Sequence, residues 1–315
     1  MHSVQTSSLL KNKNKRRTKY YDESKYCLSL KQAIEAYADY EQLVGGVETL
    51  FKESADTVQQ YAANAYQTAG LSANEYMTTV TSFSASLLQS LGGDTAEAAR
   101  MADMAITDMA DNANKMGTDM EAVQNAYRGF SRGNFTMLDN LALGFAGTKE
   151  GMQELLDSAQ QISGVEYDIS SYSDIVEAIH VVQTEMGITG TTAEEASSTL
   201  QGSLSQMQAA WENLTTGLAD PNADIGALIG NMVDSAKTFL ANLIPIIAQT
   251  LEGIAQGVAE LAPVLADELP GLFESTLPVL IESGMTAIKA LAEGIIKAIG
   301  IEPCKLCTYC WNGKE

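Results

Sequence analysis

Histidine is almost missing from this chain: His2 and His180 are the only two among 315 residues. A HExxH zinc site is therefore excluded, and a catalytic imidazole has no visible sequence partner. His180 lies in Ile175-Val-Glu-Ala-Ile-His-Val-Val182, far from any cysteine, and reads as a half-buried helix residue. Cysteine is scarce as well, four in all with three near the C-terminus, which excludes a secreted disulfide framework. Gly-rich phosphate loops, GxSxG and a dinucleotide-binding fingerprint are all absent. Aromatic residues amount to 7%, and no stretch reads as a β-run. The basic start is followed by Tyr20-Tyr-Asp-Glu-Ser-Lys25 where a secretory leader would place an apolar core, so no signal peptide is expected. Together these absences point to a protein that is not an enzyme and needs no cofactor.

Two fragments of metal chemistry remain. Cys304, Cys307 and Cys310 have C-x2-C-x2-C spacing, which suits zinc or part of an iron–sulfur cluster but lacks a fourth ligand, since Cys27 is remote. They are weak metal candidates in a C-terminal tail, 302–315. Asp220, Asn222 and Asp224 imitate the start of an EF-hand loop, but the glycine falls one place late, at Gly226, and Asn231 stands where the bidentate glutamate belongs. A helix N-cap at Asp224 explains them better.

Charge is strongly one-sided. The net charge is −21, yet residues 1–31 carry eight basic residues and two acids, +6, so residues 32–315 carry −27. Such a body repels phosphate backbones, and sequence-specific nucleic-acid binding is not expected of it. The arm 1–29 reads as a disordered, solvated basic tail, with contact to nucleic acid or anionic lipid as the alternative.

What the chain has in abundance is helix punctuation. Ser72/Glu75, Thr118/Glu121 and the overlapping Thr191/Glu194 and Thr192/Glu195 have capping-box spacing. Ser54, Asp94 and Thr148 precede further helical runs. These signals predict helices over about 30–44 (stopping at Gly45-Gly46), 54–69, 72–91, 94–116, 118–130, 148–162, 173–187 and 192–216. A short helix is expected within 133–147 and a non-helical interlude over 163–173. The fold class is all-α, a multi-helix bundle or an extended helical array, with a core region at 30–220 and a boundary at Ala219-Asp-Pro-Asn-Ala-Asp224.

Beyond the boundary, 221–301 is more apolar. Apolar side chains recur at 225, 229, 232, 236, 240, 243, 247, 251, 254, 258 and 261, a helical period. Pro245, Pro263, Pro270 and Pro278 should cut this segment into shorter rods. Its longest charge-free window, Thr238 to Leu251, holds fourteen residues against the ~20 needed to span a bilayer. Burial against other helices is the first reading, and an interfacial or groove-binding helix the second.

Several long strings resemble the core region of phage tail tape measure proteins, the phage-related minor tail protein family. They include Ala36-Tyr-Ala-Asp-Tyr-Glu-Gln-Leu-Val-Gly-Gly-Val-Glu-Thr-Leu-Phe51, Ala69-Gly-Leu-Ser-Ala-Asn-Glu-Tyr-Met77 and Thr81-Ser-Phe-Ser-Ala-Ser-Leu-Leu-Gln-Ser-Leu91. Asp103-Met-Ala-Ile-Thr-Asp-Met-Ala-Asp-Asn-Ala-Asn-Lys-Met-Gly117, Met137-Leu-Asp-Asn-Leu141, Gly147-Thr-Lys149 and Ala209-Ala-Trp-Glu-Asn-Leu214 belong with them. The likeness covers about 32–300, with both ends outside it. It implies a structural virion protein, made in the bacterial host cytoplasm and placed in the tail, that acts in tail assembly, in fixing tube length and in genome ejection. It implies partners too: further copies of itself in coiled-coil contact, tail tube and assembly proteins, and host-membrane contact through 225–300. The alternative is a membrane-active helical protein working through 225–300 alone.

Overall fold

The computed structural model describes residues 31–268 together with Thr286. Residues 1–30, Pro270, Pro278 and the tail 302–315 lie outside them. Every regular element among the described residues is helical and none is a strand, so the all-α expectation holds. These residues divide between Ala236 and Lys237 into two compact units. The first unit is a multi-helix bundle around one large core.

The bundle is assembled around α4 (Thr95–Met116). Asp94 caps it by accepting the Ala96 and Glu97 N–H groups, and Gly117 closes it at φ 66, a left-handed cap that a side chain would strain. Ala98, Ala99, Met101, Ala102, Ala105, Ile106, Met109 and Ala110 are all buried, so α4 is covered on most of its circumference. Alanine at five of those positions lets neighbouring backbones approach closely. Around it stand α2 (Ala55–Thr68), α3 (Ala73–Ser90), α5 (Met120–Phe130), α7 (Tyr172–Glu185) and α8 (Thr191–Ser198). Farther from it, α6 (Lys149–Ser163) packs on α7, and α9 (Leu200–Gly217) on α8 and α2. The first helix, α1, covers 31–51.

At Ser72, Asp94 and Thr148 the sequence reading of the caps holds. Ser72 and Glu75 form the full reciprocal box, with Ser72 N–H donating to Glu75 Oε2 at 2.8 Å. Thr148 accepts the Gly151 N–H. Elsewhere tertiary packing overrides the local signal. Helix α1 does not stop at Gly45-Gly46; it runs on to 51 because Val47 and Phe51 beyond the glycines are wholly buried. Ser54 makes no cap bond and pairs with Thr95 Oγ1 at 3.0 Å. Asp119, not Thr118, caps α5, because the Thr118 hydroxyl is committed to Asn112 Oδ1 at 2.8 Å. Helix α7 begins at Tyr172 behind a Ser171 cap, slightly earlier than the Ser173 start. Between 133 and 147 only a 3-10 turn, Leu138–Leu141, forms.

The long helix expected over 192–216 is two helices. Thr199 leaves helical geometry at φ −115 and ψ 156, and its hydroxyl caps α9 through the Gly202 N–H. The break lets the end of α8 press on α9: a Cβ on Gly202 would lie 2.4 Å from the Glu195 carbonyl oxygen, so that position has to lack one. Neither Thr191 nor Thr192 caps α8. Its start is capped from a different helix, by the wholly buried Asp111 of α4, whose Oδ2 accepts the Gly190 N–H at 2.6 Å and Oδ1 the Thr192 N–H at 2.8 Å.

The last described helix, α10 (Ile225–Glu268), passes through Pro245 and Pro263 without a break, so these two prolines do not cut it into rods. Each removes one backbone donor, and the flanking turns keep enough bonds to carry the helix on. The 219–224 turn joins α9 to α10, while the division into units falls within α10.

Replacing Asp111 by alanine should lower the bundle's unfolding free energy by about 2 kcal/mol, the cost of orphaning buried N–H donors. Urea titration of the full chain measures this. A loss under about 0.5 kcal/mol, the size of an ordinary surface change, would show that the cap carries no weight.

Candidate functional site

Three places on the described chain bear polar or apolar groups that packing alone does not use: a buried polar row on α4, an acidic hollow beside α1, and the apolar surface of α10.

Asp108, Asp111 and Asn112 occupy neighbouring positions of one α4 face, at the i, i+3 and i+4 spacing, and all three are buried. Each reaches a different element. Asn112 Nδ2 donates to the Leu141 carbonyl at 2.9 Å, and Asp111 holds the start of α8. His180 of α7 donates from Nδ1 to both Asp108 carboxylate oxygens, at 3.0 and 2.9 Å. His180 thus has a partner 72 residues away, which reading along the helix alone could not supply. Burial pushes the Asp108 carboxyl above the ordinary aspartate value, and the His180 bond only partly offsets it. The same bond raises His180 above the ordinary histidine value, against the opposing effect of burial.

Next to this row are two polar groups without protein partners, the Tyr127 hydroxyl and both amide atoms of Gln183. Burial drives the Tyr127 hydroxyl well above its ordinary range, with Asp108 and Tyr172 adding to it. Gln183 pulls it back somewhat, from a position outside hydrogen-bonding geometry. The Tyr172 hydroxyl donates to the Tyr127 carbonyl at 3.3 Å. The row joins α4 to α7, to α8 and to the 3-10 turn.

The hollow beside α1 encloses about 860 Å³ and is lined by Asp39, Glu75, Glu121 and Glu212, with Asn74, Gln124 and apolar neighbours. Burial raises the Glu212 carboxyl, and Glu75 adds to the rise. Among the described residues no group of three or more histidine, cysteine or acidic side chains is placed to hold a metal. The metal candidates Cys304, Cys307 and Cys310 lie outside the described residues. Of the EF-hand imitation, Asp220 Oδ1 accepts the Asn222 N–H at 2.8 Å, and Asp224 Oδ1 accepts the Ala227 N–H at 3.0 Å as the cap of α10.

The surface of α10 is the strongest candidate. In the first unit Met232 packs against Tyr66, Ala209 and Ala210, while Ile229 and Val233 remain exposed. In the second unit Leu240, Ile244, Ile246, Leu251 and Ile254 are exposed, Ile244 by 60% and Ile254 by 59%. Soluble chains seldom leave so many large aliphatic side chains in one stretch to water. By length and composition, the 33 residues Ile225–Gly257 with mean hydropathy 1.3 suffice to cross a membrane. The fourteen-residue count ended the stretch at every charge, whereas these 33 residues contain Asp234, Lys237 and Glu252. The 3.6-residue pattern supplied the signal for this surface, but not its exposure.

Comparison with family models, with curated proteins and with solved structures gives no match for this chain.

The Asp108–His180 pair generates a pH prediction. Both groups bind protons more tightly folded than unfolded, so their contribution is full at low pH and is lost as pH rises through the raised folded values. Nearby, Glu177 and Asp111 add negative charge and Arg100 positive. Stability should therefore fall as pH rises above the ordinary histidine value of about 6.5, and His180→Gln should flatten that fall while keeping a hydrogen-bond donor. Chemical denaturation across this range measures it; parallel curves for the two proteins would refute the assignment. His180→Leu, which strands the buried carboxylate, should cost about 3 kcal/mol or more.

Proposed function

We propose that this chain is a structural tail tape measure protein of the phage-related minor tail protein family, acting in tail assembly and length determination. The strings between Ala36 and Leu214 carry the resemblance. The observation that supports the reading is α10, a 44-residue helix with exposed aliphatic side chains along it. A helix of this kind gains by lying against other helices, because each buried aliphatic side chain contributes about 1.5–3 kcal/mol before the cost of association. Copies of the same chain and the tail tube and assembly proteins are the partners this role calls for. The acidic body, −27 over residues 32–315, would let DNA pass along it without adhering. No sequence-specific nucleic-acid contact belongs to the role, and its place is the virion tail.

A bundle that folds back on itself cannot act as a ruler over its whole contour. In this reading the ruler is carried by α10-like helical sequence, with the bundle as a folded element attached to it. The test is genetic. An in-frame insertion of about 33 helix-forming residues in 246–262, made in a phage encoding the chain, should lengthen its tails by about 50 Å, at 1.5 Å per residue. Electron micrographs of assembled tails measure this, and unchanged length would remove the ruler role.

A second reading rests on the hydropathy of Ile225–Gly257: membrane contact by the 225–300 segment, either as part of genome ejection or as the whole function. The full chain should then release dye from anionic vesicles, and Leu240→Lys with Leu251→Lys should reduce that release at least tenfold. Vesicles that stay sealed at micromolar protein would dispose of this reading.

A further inference from the structure

We propose that the hollow at the C-terminal end of α5 binds a small oxyanion of the phosphate type. It encloses about 240 Å³ and is lined by Asn125, Arg128, Gly129, Arg132, Asn134 and Met137. Its volume is below the roughly 300 Å³ at which pockets for organic ligands begin, so it suits an ion better than a cofactor.

The chemistry of the lining is one-sided. Asn125 Oδ1 is occupied by the Arg128 guanidinium. Asn134 Oδ1 accepts both the N–H and the hydroxyl of Thr136, at 3.1 and 2.8 Å. The Gly129 carbonyl accepts the Arg132 and Asn134 N–H groups, both at 3.0 Å. With these acceptors engaged, the side chains of the hollow offer two amide NH2 groups and two guanidiniums as donors, beside the Asn134 carbonyl and the apolar Met137. Among the described residues, no carboxylate forms an ion pair with Arg128 or Arg132. Guanidinium forks bind tetrahedral oxyanions through paired N–H groups, more strongly than neutral donors do.

The site is also held ready. Backbone bonds from Ser131, Arg132, Gly133 and Asn134 to residues 127–130 fix the turn that carries Arg132 back toward α5. Two like charges four positions apart repel each other, and an anion between them removes that cost. Arg128 and Arg132 are two of only five arginines in a chain of net charge −21. The acidic surroundings disfavour a polyanion, which limits the ligand to a small ion.

Inorganic phosphate is the probe. At about ten times its dissociation constant it should raise the Tm of the full chain by about 3 °C over sodium chloride of equal ionic strength. It should also shift the amide resonances of 129–134. Arg132→Gln, at an exposed position that leaves the fold intact, should abolish both effects. Three outcomes would overturn the site: sodium chloride matching phosphate, Arg132→Gln responding like the parent, or a short DNA duplex binding as tightly as phosphate.

Discussion

The described structure depends on three polar side chains buried where a helix would ordinarily place apolar ones. Asp108, Asp111 and Asn112 sit together on α4, and each is tied to a separate element: the His180 ring on α7, the first N–H groups of α8, and the Leu141 carbonyl of a 3-10 turn. Alanine and methionine fill most of the rest of that helix's contact surface, and such side chains pack without dictating a unique arrangement. The polar row supplies the missing specificity, since a shifted register would leave a carboxylate or an amide buried without a partner. This explains how a bundle rich in small residues settles on one arrangement.

The same row accounts for what the sequence did and did not disclose. Ser72 with Glu75, Asp94, and Thr148 are legible because a cap acts within three residues of itself, and the structure keeps every one of those bonds. The start of α8 looks equally local, with two threonine–glutamate pairs competing for it, yet the cap comes from Asp111, 79 residues away from Gly190. His180 was read as partnerless for the same reason. Nothing in a one-dimensional pattern brings α4 beside α7. Glycine misled in the other direction: Gly45 and Gly46 look like a stop, but the burial of Val47 and Phe51 draws the helix through them.

At the candidate sites the balance is similar. The recurrence of apolar residues from 225 onward was plain in the sequence, whereas the exposure of Leu240, Ile244 and Ile254 is a property of the folded chain. The prolines looked like joints, but two of them are carried inside α10. The hollow at Arg128 and Arg132 was illegible, because it depends on how the turn after α5 brings the two guanidiniums and two asparagine amides together. An exposed aliphatic helix and an acid-rich bundle are the features that any functional account has to use, and the tape measure proposal uses both.

Native-state hydrogen exchange of the full chain tests the central claim most directly. In an eight-residue helix such as α8 the first amides normally have no acceptor and exchange quickly. If Asp111 ties α8 to the centre of the bundle, the Gly190 and Thr192 N–H groups will exchange only with global unfolding, as slowly as the amides in the middle of α4. Exchange of those two amides at the rate of the exposed Glu166 would contradict the account.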